Sequence, residues 1–236
     1  MNRKKEIEKR HLTKFVSNEK LKLLVYGIED SETPDFIVNL GEKIVSIEHT
    51  RLINPDLKKV EQHKDKIIKN AQKRFENKYS EELYVLLTFN NIILESGKSA
   101  EEKYTDEVFK LIEEIYLFNK EYKFRINSRR QKSKVSKLIN YFSIDNTWNF
   151  ANWQHFGAYR VEKMNMGWFG EVISNKEKNI KRYPKGFDEN WLLLVSDFGT
   201  KASTHCYDRI DFSNIKTEFD KIYLYSYMAD EIEIII

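Results

Sequence analysis

Two acidic residues thirteen positions apart, Asp35 and Glu48, carry the most specific chemistry in the sequence. Each belongs to a short apolar run, Asp35-Phe-Ile-Val-Asn-Leu40 and Lys43-Ile-Val-Ser-Ile-Glu-His-Thr50, with Gly41-Glu42 between them. A Gly-X pair separating two such runs predicts a tight β-hairpin. If Gly41 and Glu42 are the turn residues, antiparallel pairing sets Leu40 against Lys43 and Asp35 against Glu48. Opposed residues share one sheet face, with Cβ atoms roughly 4.5–5.5 Å apart. Thr50, two residues past Glu48, shares that face. Like charges so placed are unfavourable unless a cation joins them, and Mg²⁺ is typically held by one or two carboxylates plus water and phosphate oxygens. The alternatives are that one of these acids is simply exposed at a strand end, or that the register differs and the two never meet.

Pro34-Asp35, followed thirteen residues later by Glu48-His49-Thr50 at the end of an apolar strand, resembles the signature of the restriction-endonuclease-like PD-(D/E)XK nucleases. More particularly, Pro34-Asp35-Phe36 with Ile47-Glu48-His49-Thr50-Arg51-Leu52 is similar to a group of uncharacterised bacterial proteins assigned to that superfamily. Ile173 to Tyr183 and Trp191-Leu-Leu-Leu-Val195 look like theirs as well. The matching order of helix, acid-bearing hairpin, helix and strand covers about Arg3 to Asn90. The resemblance implies a restriction-endonuclease-like core and hydrolysis of phosphodiester bonds, in DNA ahead of RNA, with Mg²⁺ (or Mn²⁺). It implies Asp35 and Glu48 as metal ligands, with the Ile47 main-chain carbonyl beside them.

One departure matters. Thr50 stands where the family usually has a lysine that orients the attacking water and stabilises charge on the phosphate. A threonine hydroxyl carries no charge, so either another lysine reaches the site or catalysis is weak or lost. Lys64 and Lys176 are the candidates. Lys176 is preferred, because it follows the apolar Ile173 by three residues in a segment that itself resembles the family. Without such a lysine the chain reads as a nuclease-fold nucleic-acid-binding protein. A third reading makes the paired acids incidental to an ordinary scaffold.

The charge distribution points the same way. Lys120 to Leu138 holds eight basic residues against Glu121 alone, net +7, while the whole chain is only +3. Arg129, Arg130, Lys132 and Lys134 are its densest part and the expected nucleic-acid contacts. A second cluster, Lys176, Lys178, Lys181, Arg182 and Lys185, is opposed only by Glu177. Concentrated positive charge suggests a polyanionic partner; a solvated helix face is the plain alternative for either cluster. Trp148, Trp153 and Phe156 beside the first cluster could stack on unpaired bases, but core packing is the favoured reading. Asp197-Phe198-Gly199 lacks the companions of a kinase site and reads as a strand end and turn. His205-Cys206 reads as chance adjacency, and five scattered histidines with one cysteine argue against structural zinc.

These residues need elements to hold them. Residues 3 to about 20 predict an amphipathic helix carrying Ile7, Leu12, Phe15 and Val16, and Asn54-Pro55-Asp56 reads as a helix start. Leu83 to Phe89 is a continuous apolar run, which predicts a strand buried on both faces. Ser99 to Glu102 resembles a capping box. Further helices are expected near Glu171 to Tyr183 and around Phe212, Ile215 and Phe219, and strands at Trp191 to Val195, Ile222 to Tyr227 and Ile232 to Ile236. Alternating helices and strands predict an α/β fold with a central mixed β-sheet flanked by helices. The expected organisation is one domain over 1–236, with a basic and aromatic insertion at about 120–170.

A chain of 236 residues, 41% hydrophobic and 14% aromatic, can bury a substantial core despite its 33% charged residues. A single cysteine suits a reducing cytoplasm. The longest apolar stretches fall far short of the ~20 residues a membrane span needs. No membrane partner is expected, and a homodimer is compatible with these features.

Overall fold

The computed structural model describes residues 3–129, 136–148, 150–157 and 159–236. The chain divides into two compact units, the first formed by residues 1–54 and 160–236, the second by 55–159. The second unit thus begins at Pro55, well before the insertion expected at about 120. Among the described residues no helix is long and apolar enough to cross a membrane.

The first unit opens with α1 (Arg3–Val16), then β1 (Gly27–Asp30), β2 (Phe36–Asn39) and β3 (Ile44–Arg51). The face that α1 buries is Glu8, His11, Leu12, Phe15 and Val16, so a carboxylate and an imidazole share the stripe with the apolar residues. The second unit supplies α2 (Pro55–Lys78), β4 (Tyr84–Phe89), α3 (Lys98–Asn119), β5 (Arg125–Asn127), β6 (Ile139–Asp145) and β7 (Asn152–His155). The chain then returns to the first unit through β8 (Glu162–Lys163), α4 (Met166–Glu177), a 3-10 turn at Ile180–Arg182, β9 (Glu189–Ser196), β10 (His205–Cys206), β11 (Lys221–Ser226) and β12 (Glu231–Ile234).

The first unit's main sheet runs in the order β1-β2-β3-β9-β11-β12. The hairpin strands pair antiparallel, β3 and β9 pair parallel, β9 and β11 pair parallel, and β12 closes antiparallel. Central β9 is buried on both faces, as expected of a parallel strand covered on both sides. Trp191, Leu193 and Val195 join Leu12, Phe15, Val45 and Ile47 on the α1 face. Leu192 and Leu194 join Phe169 and Ile173 of α4 on the other. The hairpin turn puts Gly41 at φ +85°, where an added Cβ would lie 2.7 Å from the Tyr26 ring.

The second unit is a mixed four-stranded sheet, β5-β6-β4-β7, with α2 and α3 packed on one face around Phe75, Val85, Leu87, Ile112 and Trp153. Expectation and structure part here in three respects. The run Leu83 to Phe89 forms β4 of this second sheet, where one central sheet was expected; the strand beside β3 is β9. Helices cover only one face of β4, so Val85, Leu87 and Phe89 are buried while Tyr84, Leu86 and Thr88 are half-buried. Also, α3 starts at Lys98 after Gly97, whose φ of +109° favours glycine, so Ser99 lies inside the first turn instead of capping it. In the first unit the helix expected around Phe212 is absent: Asp211 caps its own turn through Ser213 N–H, and Phe212 and Ile215 pack on the α4 side from irregular chain.

Candidate metal and phosphodiester site

The register of the hairpin is the one expected, with Phe36 against Ile47, Ile37 against Ser46 and Val38 against Val45. One step further along, Asp35 comes opposite Glu48. Asp35 lies just before β2, and its Oδ2 accepts the His49 backbone N–H at 2.8 Å. Side chains alternate along β3, so Ile47 and His49 face α1 while Glu48 faces α4.

Glu48 is only 4% exposed and surrounded by donors. Its Oε1 accepts from Lys176 Nζ and from Asn179 Nδ2, both at 2.9 Å, and its Oε2 accepts from the Tyr183 hydroxyl at 2.7 Å. The helix explains this convergence. Phe169, Ile173 and Lys176 follow at i, i+4 and i+7, so the two apolar residues anchor α4 on the sheet and turn the lysine inward. The backbone stays helical past the end of α4, which keeps Asn179 on the same side.

Asp35 has less support. Lys5 Nζ stands 4.0 Å from its Oδ1 and donates instead to the main-chain carbonyls of Asp35 and Ser31 at 2.6 Å. Burial and then the charge of Glu48 push the Asp35 carboxyl above the usual carboxylate range, against the opposing pull of the His49 N–H and Lys176. The two acids therefore sense each other. Burial and the Glu48 carboxylate likewise push the Tyr183 phenol up, so it serves Glu48 as a donor.

Behind β3, on the α1 face, lies a second polar group. His11 Nδ1 and His49 Nε2 are 3.0 Å apart with their rings stacked, and Glu8 Oε1 is 4.0 Å from His49 Nδ1. Burial, helped by Arg51 and Arg10, lowers His11 to about 4; burial and His11 hold His49 well below the ordinary imidazole value. Both rings are neutral near pH 7, one donating to the other.

The remaining expected residues fall as follows. Thr50 is half-buried on the Glu48 face, opposite Leu194 of β9. Ile47 stands inside the sheet, between Phe36 of β2 and Trp191 of β9. Lys64 belongs to α2 of the second unit, where it lies over the Phe89 ring. Arg129 is exposed after β5 in the second unit, while Arg130, Lys132 and Lys134 lie outside the described residues. Trp153 is core at 5% exposure, whereas Trp148 and Phe156 are about half exposed. Asp197 and Gly199 form a turn after β9, the Asp197 carboxylate accepting from Ser226 and Thr204. The His205 ring of β10 lies tilted against Trp168, with centroids 5.3 Å apart.

The donor set suits a hard cation. A carboxylate offers about four lone-pair positions; Glu48 has three taken and Asp35 one. Lone-pair positions are left on both acids. Among the described residues no three His, Cys, Asp or Glu side chains gather as a metal cage. An ion here would complete its shell with water and substrate oxygens, the usual habit of Mg²⁺. Neither Asn179 nor Tyr183 was expected from the sequence, although both follow Lys176 at helical spacing, i+3 and i+7. No family model matches the chain, and no curated protein or solved structure is significantly similar to it.

Proposed function

We propose that this protein hydrolyses phosphodiester bonds in DNA at a divalent ion held by Asp35 and Glu48, on a sheet of restriction-endonuclease-like type. The observation that carries the reading is the convergence on Glu48: the hairpin register sets it opposite Asp35, and α4 brings Lys176 Nζ to 2.9 Å. A carboxylate pair with an adjacent ammonium is the equipment that phosphodiester hydrolysis uses. Bound there, the ion supplies neutralisation of charge on the phosphate and a more acidic water.

The chain's own residues do the rest. Asp35, with its ionisation disfavoured by burial and by Glu48, gains most from a cation. Asn179 and Tyr183 fix the Glu48 carboxylate from the helix side, so its orientation is set before substrate arrives. Lys176 takes the role that Thr50 cannot fill, because a primary ammonium can turn from Glu48 Oε1 to a phosphate oxygen. This role makes Lys176 a cation supplied from a helix, not from the strand that bears the acid.

Purified protein incubated with plasmid DNA and with RNA, in Mg²⁺, Mn²⁺ or EDTA, tests the proposal. Cleavage of DNA in either metal and none in EDTA is expected. Glu48→Gln and Lys176→Met should each slow it by roughly 10²-fold or more, as loss of a positioned catalytic group does, with unchanged circular dichroism. Folded wild-type protein that leaves DNA intact in both metals would refute the reading, and cleavage of RNA alone would refute its choice of substrate.

A further inference from the structure

The segment that closes on Glu48 has a second face. Lys176, Asn179 and Tyr183 turn toward the carboxylate. Lys178, Lys181 and Arg182 occupy the intervening i, i+3 and i+4 positions of the same near-helical backbone and are exposed, as is Lys185 beyond them. Lys178 donates to Asn175 Oδ1. Among the described residues, Lys181, Arg182 and Lys185 make no ion pair with a carboxylate.

Nearby acids are engaged elsewhere. Glu177 accepts the Glu218 backbone N–H, Asp188 accepts the Ile44 N–H, and Glu189 is held by Lys43 and Lys221. Most other lysines of this unit differ: Lys4, Lys5, Lys9, Lys14, Lys43, Lys176, Lys201 and Lys221 each reach a carboxylate within 4 Å. A run of cations left without counter-charges, on the segment that also anchors the acid site, is an arrangement that folding does not require.

We infer that Lys178, Lys181, Arg182 and Lys185 form a docking face for the phosphate backbone of duplex DNA, and that this face holds the duplex beside Asp35 and Glu48. The inference rests on the phosphodiester reading of that site, whose substrate it takes as the polyanion. At 1.5–2.0 Å rise per residue the row is roughly 10 Å or more long. With phosphates about 3.4 Å apart along each strand's axis, it spans at least three of them. Ammonium and guanidinium groups on flexible stems read charge without reading bases, so this face supplies affinity and placement but no sequence preference.

The test is equilibrium binding of the full chain to a 20-base-pair duplex across a range of salt concentrations in EDTA, where no cleavage competes. For Lys181→Gln/Lys185→Gln with Arg182→Gln, the log–log slope should fall by about 2.7 from wild type, since each lost phosphate contact removes about 0.9. Restoring charge with Lys181→Arg and Lys185→Arg on the Arg182 background should return the wild-type slope, which excludes a folding defect as the cause. An unchanged slope in the triple variant overturns the inference and marks the row as a solvated face. The two readings fail separately: a lowered slope with no cleavage in metal refutes the nuclease while leaving the docking face, and cleavage with an unchanged slope does the reverse.

Discussion

The buried imidazole pair beneath β3 makes the stability of the first unit depend on pH, and the size of the effect follows from its geometry. His11 is 4% exposed, packed between His49, Phe198 and Tyr227, with the Arg51 and Arg10 charges nearby. Its folded value of about 4 lies below the 6.5 of an exposed imidazole. Between those values the unfolded chain binds more protons than the folded one, so stability rises with pH across the window and is lost as pH falls. The full difference corresponds to about 3 kcal/mol at 1.36 kcal/mol per unit. At pH 5, where only part of the window has been crossed, His11 alone costs about 2 kcal/mol relative to pH 8. His49 acts in the same direction, and Asp35, raised in the fold, acts in the opposite direction between the ordinary carboxylate value and its own raised one. Urea unfolding followed by circular dichroism at pH 5 and pH 8 measures the loss. His11→Gln keeps a hydrogen-bonding partner for His49 but cannot be protonated, so its loss between the two pH values should be smaller than that of wild type by about 2 kcal/mol. Equal pH dependence in the two proteins would refute the argument that His11 is held neutral by burial.

Tyr183→Phe removes one donor from a buried carboxylate and should lower stability by about 1.5–3 kcal/mol, the range for hydrogen bonds to charged groups, read as a shift of the urea midpoint. Gly41→Ala should cost about 1–2 kcal/mol from its left-handed backbone alone, and more through the approach of the new Cβ to the Tyr26 ring; thermal unfolding beside wild type measures it.

The hairpin was legible because its signals are local: a glycine at the turn and two short apolar runs fix the register, and the register fixes which side chains oppose. Lys176 was legible through the segment around it. Asn179 and Tyr183 were not, because an amide and a phenol carry no mark of function, although their spacing from Lys176 places them on its face. The division of the chain escaped the sequence for a different reason. Elements consecutive in sequence are usually neighbours in space, which favoured one central sheet for all the strands. The partner of β3 is β9, more than 130 residues further on, and a non-local pairing leaves no local trace. The charged residues of α1 misled in a similar way. The expected apolar face was Ile7, Leu12, Phe15 and Val16, yet Glu8 and His11 share the buried stripe with Leu12 and Phe15, and His11 meets His49 inside.

Whether Glu48 is there for stability or for chemistry can be weighed from its surroundings. Its neighbour in the parallel ladder is Leu192, and the adjoining α4 face is built from Phe169, Ile173 and Leu194. An apolar residue at position 48 would continue that surface without any of the donors now directed at it. Burying an ion pair carries a desolvation penalty that its attraction often fails to recover, and apolar replacements of such pairs are frequently neutral or stabilising. The acid is nonetheless accompanied by a lysine, an amide and a phenol from one short segment, and faces an aspartate whose own ionisation is disfavoured by its presence. A purely structural ion pair has no use for the second acid, which makes the cluster harder to hold together in the absence of a cation. On the proposed metal-dependent reading, a hard cation would relieve the repulsion between Asp35 and Glu48 and leave the ammonium of Lys176 at the edge of the same charge. The local conflict between packing and charge is therefore the feature that separates this site from the salt bridges elsewhere on the surface.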